Sequence, residues 1–357
     1  MSVGIVTGSG GLVGAESVRW LVREGLDVIG IENDMRSRLF GSEASTRPTS
    51  DRLLAEFPNL RVVDLDIRDA DGLMKVFAEH SGRIEAIVHA ASQPSHDWAA
   101  ADPQTDFTVN ANGTLNLLEA ARSHAPDAPF IFVSTNKVYG DRPNELPFEE
   151  LPTRFELPSS HRYFGGIDTS MPIDASLHSL FGVSKTSADL LVQEYGRYFG
   201  IPTVSFRGGC LTGPHHAGAE PHGFLAYLMR CVATGTPYTV YGYDGKQVRD
   251  NLHCADLVAA FAAYRAAPRP AAIYNIGGGR YSNCSMLEAI ETCERVAGRE
   301  LDWQLAESPR IGDHLWWISD LSEFRADYPE WEPRLGVEDI LREMHDSNRE
   351  RWAAARR

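Results

Sequence analysis

The chain has 357 residues, 43% hydrophobic and 23% charged, enough for two core-forming units or one large α/β domain carrying a lobe. Its formal net charge of −15 argues against nucleic acid or an anionic membrane surface as partners, so an anionic ligand would need a local basic island. Five scattered cysteines (Cys210, Cys231, Cys254, Cys284 and Cys293), never in C-x-x-C, argue against a disulfide framework or zinc site. No apolar run reaches membrane-spanning length, so a reduced, cytoplasmic protein without a leader is expected.

Val3–Thr7 is a short apolar run that predicts a buried parallel strand. Gly8, Gly10, Gly11 and Gly14 follow as a glycine loop, and Val13, Val18, Leu21 and Val22 then recur at helical spacing. Glycines at 8, 11 and 14 suit a dinucleotide site: a tight turn, close approach of a pyrophosphate, and tight packing of helix on strand. Leu12 and Val13 open that helix, where unpaired N–H groups and the helix dipole favour an anion. Asp27–Ile31 predicts a second strand, ending in Glu32 and Asn33. An acidic residue there holds the adenosine ribose hydroxyls and repels a 2′-phosphate, which favours NAD, while Arg36 keeps NADP open. Residues 38–50 read as a surface loop. A third strand over 61–68 ends at Asp66 and Ile67, and a helix is expected over 69–80.

Strand four, 86–91, ends in His89, Ala90 and Ala91, small enough at its tip for the chain to lie flat against a cofactor. His89 itself reads more readily as a packed residue than as a catalyst. A long helix is expected over 102–124, and strand five over 130–134 runs into Thr135. Five successive βα units predict a doubly wound parallel sheet of Rossmann type, with ligand at the carboxyl ends of its strands. Residues 141–176, rich in Pro, Gly and charge and without periodicity, read as a lid or binding loop. A helix (181–198) and a strand (202–206) complete the sheet region, followed by a helix near 224–233. The remainder reads as a smaller mixed C-terminal substrate lobe whose final charged helix, 337–355, is a solvated cap. The expected division assigns 1–207 and about 250–276 to the dinucleotide-binding domain, and about 208–249 and 277–357 to the lobe. His215, His216 and His222 lack the carboxylate or cysteine spacing of a metal site, so none is expected. Trp316 and Trp317 read as lobe core.

Ten short motifs then occur in one order: Thr7-Gly8-x-x-Gly11-x-x-Gly14, Asp66-Ile67-Arg68, His89-Ala90-Ala91, Asn110 with Gly113-Thr114, Ser134-Thr135-x-x-Val138-Tyr139-Gly140, Gly182-x-Ser184-Lys185, Gly213-Pro214, Arg249-Asp250, Asn275-Ile276-Gly277-Gly278 and Arg310-x-Gly312-Asp313. With them the chain resembles, over nearly its whole length, the extended short-chain dehydrogenase/reductase family of nucleotide-sugar epimerases and dehydratases. The segments 134–141, 177–179 and 245–250 are most similar to the branch that epimerises CDP-hexoses at C2 (the CDP-paratose, or CDP-tyvelose, type).

The resemblance implies tightly held NAD, a sugar carbinol oxidised to a ketone, and return of the hydride. It also implies a homodimer built on helices 102–124 and 181–198. Cofactor contacts are implied for Gly8, Gly10, Gly11, Leu12, Val13, Gly14, Glu32, Asn33, Arg36, Asp66, Ile67, His89, Ala90, Ala91, Asn110, Val133 and Lys185. The substrate, a nucleotide-diphosphate sugar with CDP-hexose favoured, is implied to meet Gln93, Lys246, Arg249, Arg310 and Gly209, with guanidinium forks on the diphosphate. Family members oxidise with a tyrosine four residues before the lysine, while a Ser or Thr at the end of strand five bonds the same oxygen. Thr135 and Lys185 match, but the tyrosine position holds Phe181. Loss of a general base costs about 10²–10⁴ in rate. Three readings remain open: another group (Tyr163, His161, His178, Lys137 or Asp168) supplies the base; Phe181 replaces an original tyrosine in an engineered variant; or the protein binds without redox chemistry. Dehydratases place an Asp-Glu pair after the Thr, where this chain has Asn136 and Lys137, which disfavours elimination.

Overall fold

Seven short apolar runs build one sheet: β1 (Val3–Thr7), β2 (Asp27–Ile31), β3 (Leu60–Val63), β4 (Ile84–His89), β5 (Phe130–Thr135), β6 (Thr203–Gly208) and β7 (Ala272–Ile276). The computed structural model describes residues 2–214, 216, 223–306 and 312–354. The strands lie in the order β7-β6-β5-β4-β1-β2-β3, and the pairs β1–β2, β2–β3, β1–β4 and β4–β5 are parallel. Chain order therefore reverses between β1 and β4, the switch point at which sheets of this kind bind ligands. Every residue of β1 is buried, as a strand covered on both faces must be. Ile5, Ile29, Ile87, Phe130 and Phe132 share one core with Leu73, Phe77, Leu117, Leu118 and Val192. The doubly wound fold expected from the sequence is the fold observed.

The chain forms two units. Unit 1 comprises Met1–Val138, Ser179–Arg207 and Val258–Tyr274; unit 2 comprises Tyr139–His178, Gly208–Leu257 and Asn275–Arg357. Residues 139–178 and 250–257, expected in the first domain, thus group with unit 2. Within unit 2, Val248–His253 is the central strand of a small mixed sheet, antiparallel to Asn283–Ser285 and parallel to Trp316–Trp317 and Cys210–Thr212. Trp316 and Trp317 are fully buried there, as expected of lobe core.

Four local expectations need correction. Residues 38–50 are not a loop: helices Met35–Phe40 and Arg47–Glu56 flank a short 3₁₀ turn. Asp34 organises that region, because its carboxylate accepts bonds from Thr46 N and Oγ1 and from Ser45 Oγ. The helix over 102–124 is Pro103–Phe107 and Gly113–His124 (α2 below) joined by a π-turn at Thr108–Asn112. Residues 141–176 are no loose lid. Arg154 bonds Glu288 and Asn283, Asn275 Nδ2 donates to Ile167 O at 2.8 Å, and Asn144 bonds Asp313 O and Leu315 N, all inside unit 2. Finally, the terminal helix Val337–Ala354 is no solvated cap, since Ile340, Leu341, Met344 and Trp352 lie in the core of unit 2.

Candidate active site

Strand register brings the carboxyl ends of the central strands level: Thr7 stands opposite both Ile31 and His89. Gly8, Glu32 and Ala90 follow these three residues, so the glycine loop, the acidic strand end and the small residues of strand four meet at one edge. Gly8 turns with φ +66°, and a Cβ there would lie 2.9 Å from the Ala91 backbone. A Cβ on Gly14 would lie 2.0 Å from Gly8 O. Gly11 caps the helix Leu12–Arg23 (α1) without a side-chain bond. The result is a glycine loop whose one side chain, Ser9, is buried, with first-turn N–H groups that can meet an anion. Gly10 serves differently, because a Cβ on it would strike Ser50 of the helix Arg47–Glu56 and Thr46 at its N-cap.

Glu32 Oε2 accepts from Gly10 N at 3.0 Å, and Oε1 from Asn33 N and Asp34 N. The carboxylate is thereby held at the end of β2. Arg36 stands 5.3 Å over the Phe40 ring, within the field of Glu32. Asp66 accepts from Asn33 Nδ2 and from Arg68. Burial would raise its pKa, but the Arg68 bonds outweigh that and hold it below the usual range. Ile67 packs on Gly113, where a Cβ would lie 2.6 Å from its Cδ1. His89 is a strut. Its two ring nitrogens pair with Thr7 Oγ1 at 2.8 Å and Thr114 Oγ1 at 2.9 Å. Burial, with the Lys185 charge nearby, pushes its pKa down to about 3, so the ring is neutral.

The helix Leu180–Phe199 (α3) carries Phe181 and Lys185 one turn apart. Ser179 caps it, accepting from Gly182 N. Lys185 Nζ donates to Val133 O at 2.9 Å and lies 4.2 Å over the Phe132 ring. Phe181 is buried with its ring edge-on to His96 at 5.0 Å, and His96 Nδ1 pairs with Ser179 Oγ. Thr135, at the end of β5, accepts from Lys137 N and approaches Asn136 Oδ1 at 3.4 Å. Behind them Asn110 ties Gln93 O, Asp106 and Ser184 together. Gln93, expected at the substrate, is 1% exposed, and its amide is bonded to Ser95 and Asp106. It braces the loop after β4 instead.

The other predicted substrate residues belong to unit 2. Arg249 Nη2 pairs with Asp313 at 3.0 Å and Nη1 donates to Val248 O. Lys246 pairs with Glu150 at 2.6 Å. A Cβ on Gly209 would stand 2.3 Å from Asp250 Oδ1, so this glycine is needed for packing. Tyr163 is buried beneath the Arg162 guanidinium, and His178 Nδ1 pairs with Ser176 O. Arg310, His215 and His222 lie outside the described residues. Among the described residues no His, Cys, Asp and Glu cluster could hold a metal, and no helix is long and apolar enough to cross a membrane.

The model of the NAD dependent epimerase/dehydratase family matches residues 5–277. The chain belongs to that family. It is 28% identical to CDP-paratose 2-epimerase of Salmonella typhi over 96% of this chain and 98% of that one. It is also 28% identical to dTDP-glucose 4,6-dehydratase of Neisseria meningitidis over 95% and 90%. Among solved structures, the dTDP-glucose 4,6-dehydratase DesIV from Streptomyces venezuelae, with NAD and TYD bound, matches with TM-score 0.79 and 25% identity over 99% and 98% of the two chains. UDP-glucose 4-epimerase of Thermus thermophilus, in complex with NAD, gives 0.76 and 26% over 97% and 99%. The family's cofactor is NAD, and the glycine turn and acidic end of β2 fit it.

Sequence reasoning missed His96, which packs against Phe181, and the buried Asp189–Arg207 pair at 2.8 Å. Asp189 stands one helical turn beyond Lys185, and that spacing is the signal that could have found it.

Proposed function

We propose that the protein is an NAD-dependent epimerase acting on a nucleotide-diphosphate sugar through a transient ketone, most like a CDP-hexose 2-epimerase. The observation that carries this reading is the pair after Thr135. Asn136 is buried and Lys137 is basic, so neither residue supplies the carboxylic acid that expulsion of a hydroxyl requires. The glycine loop would hold the pyrophosphate, Glu32 the adenosine ribose, and Lys185 the region at the end of β5. Bound NAD supplies a two-electron acceptor that takes a hydride and gives it back. Thr135 would orient the sugar hydroxyl; within unit 2, Arg249 is the guanidinium that could exchange Asp313 for phosphate oxygens. A cytoplasmic location and a homodimer paired through α2 and α3 belong to the same reading.

Two measurements test it. Denatured protein is expected to release NAD(H). Incubation with CDP- and UDP-hexoses in deuterated water is expected to invert one carbon with no change of mass and no deuterium uptake, since the hydride returns to its own carbon. A product lighter by one water and carrying deuterium would make the protein a dehydratase. Phe181 favours a second reading, a sugar-nucleotide binder without redox chemistry, in which released NAD(H) is found but no carbon inverts.

A further inference from the structure

The proposed epimerisation needs a proton acceptor at the sugar hydroxyl, and Phe181 has no oxygen to serve. We infer that Lys185, as a neutral amine, takes that proton itself; the inference rests on the epimerase reading above. Position and surroundings support it. Lys185 sits on the same face of α3 as Phe181, its Nζ 2.9 Å from Val133 O at the end of β5, two residues before Thr135. The side chain is only 4% exposed. Such an ammonium is stable when a carboxylate pairs with it, and among the described residues none lies within ion-pairing distance.

Each charged or titratable neighbour is committed elsewhere. Asp189, one turn along α3, is clamped by Arg207 of β6 through Nη2 at 2.8 Å and Nε at 3.2 Å. It also accepts from Ser134 Oγ at 2.5 Å and Gln193 Nε2 at 2.6 Å. Asp106, from the helix before the π-turn, accepts from Gln93 at 2.7 Å and Asn110 at 3.0 Å. Burial raises the pKa of Asp106, which weakens its pull as an anion. His89 on β4 is neutral between two threonines. Phe132 offers Lys185 a ring face rather than a charge. Burial dominates the balance, outweighing the more distant Asp189 and Asp106 charges, and the Lys185 pKa falls to about 7. A tyrosinate at position 181 would reverse this by stabilising the ammonium, so the loss of the phenol and the release of the amine belong together.

The step balances without another reagent. The carbinol O–H bond breaks and its proton passes to the Nζ lone pair, giving an ammonium. The C–O bond becomes C=O, and NAD⁺, when bound, would supply the acceptor for the carbinol hydrogen and its electron pair. Return of hydride to the other face of the ketone takes the proton back from Nζ, so the amine is regenerated each cycle.

The test uses full-length protein grown with 13Cε-lysine. The chain has four lysines (Lys75, Lys137, Lys185 and Lys246), and the signal missing from Lys185→Arg belongs to Lys185. Its titration midpoint is expected near 7; a midpoint of 9 or above overturns the inference. Single-turnover hydride transfer, followed as NADH absorbance, is expected to rise tenfold per pH unit below 7 and to level off above it. Lys185→Arg, always charged, is expected to lose at least about 10²-fold in transfer measured with NAD⁺ added to saturation. Lys185→Met, without charge or lone pair, should lose as much, and circular dichroism confirms that either variant is folded. Transfer that survives in a folded variant overturns this inference alone. Absence of transfer in the wild-type protein overturns it together with the epimerase reading.

Discussion

At the scale of single residues, burial without a partner is the recurring device, and each instance leaves a mark on the pH dependence of stability. Asp250 is the clearest case in unit 2. Its Oδ2 accepts from Ser319 N at 2.9 Å and Gly279 N at 3.2 Å, while Oδ1 finds no hydrogen-bond partner among the described residues. Burial raises its pKa to about 6 despite those amides. A carboxyl raised in the folded state favours folding when protonated. Its contribution is therefore complete below the unfolded value near 4 and is lost as pH rises through 6. Two units correspond to about 3 kcal/mol. In Asp250→Asn this dependence should vanish. The variant-minus-wild-type stability, from denaturant melts at pH 4 to 8, is expected to climb by about that amount toward pH 8. A flat difference would refute the account. The glycine loop and Glu32 were legible in the sequence because a dinucleotide turn is local. The Asp189–Arg207 clamp was not, because the spacing from Lys185 marks only the helix residue, and nothing in the sequence ties it to Arg207 on a strand.

Elements were legible wherever periodicity alone decides their fate. Six of the seven strands of the main sheet were expected from their apolar runs, Ala272–Ile276 being the one not anticipated, and α3 was expected within one residue at each end. The segment 139–178 has no such signal, since its order comes from side chains reaching residues far along the chain, such as Arg154 to Glu288 and Asn275 to Ile167. The terminal helix misled for the opposite reason: many charges on its outer face concealed an apolar stripe on the inner one. Ile340, Leu341 and Met344 are essentially unexposed and pack with Leu228, Met229 and Ile290. A solvated cap would tolerate truncation of these side chains at a cost within about 0.5 kcal/mol. As core, Leu341→Ala is expected to cost about 2–5 kcal/mol. Glu350→Ala on the exposed face should cost under about 0.5 kcal/mol. Chemical denaturation of the two variants decides between cap and core.

At the scale of the whole molecule, the proposed homodimer would draw on the outer faces of α2 and α3, which expose apolar side chains. Leu180, Val183, Leu190 and Tyr198 of α3 are exposed, and so are Leu115 of α2 and Phe107 of the preceding helix. On α3 they recur at intervals of three, seven and eight residues, the spacing of one helical stripe. An acidic surface carries no steering toward a nucleic acid or an anionic membrane, and a net charge of −15 makes two copies repel at long range. In the proposed pair, contact between copies would come from short-range apolar burial, and added salt should tighten it by screening the repulsion. An isologous pair places the same stripe on both subunits, so one substitution appears twice in the interface. Val183→Asp with Leu190→Asp would bury four carboxylates in the pair while leaving the separate chain's core untouched, because both side chains point to solvent there. Light scattering on eluted protein is expected to give a dimer for the wild type at micromolar concentration and a monomer for the double variant. The helical circular-dichroism signal should remain unchanged between them. A wild-type monomer at 0.5 M salt would leave the stripe without this partner and refute the pairing.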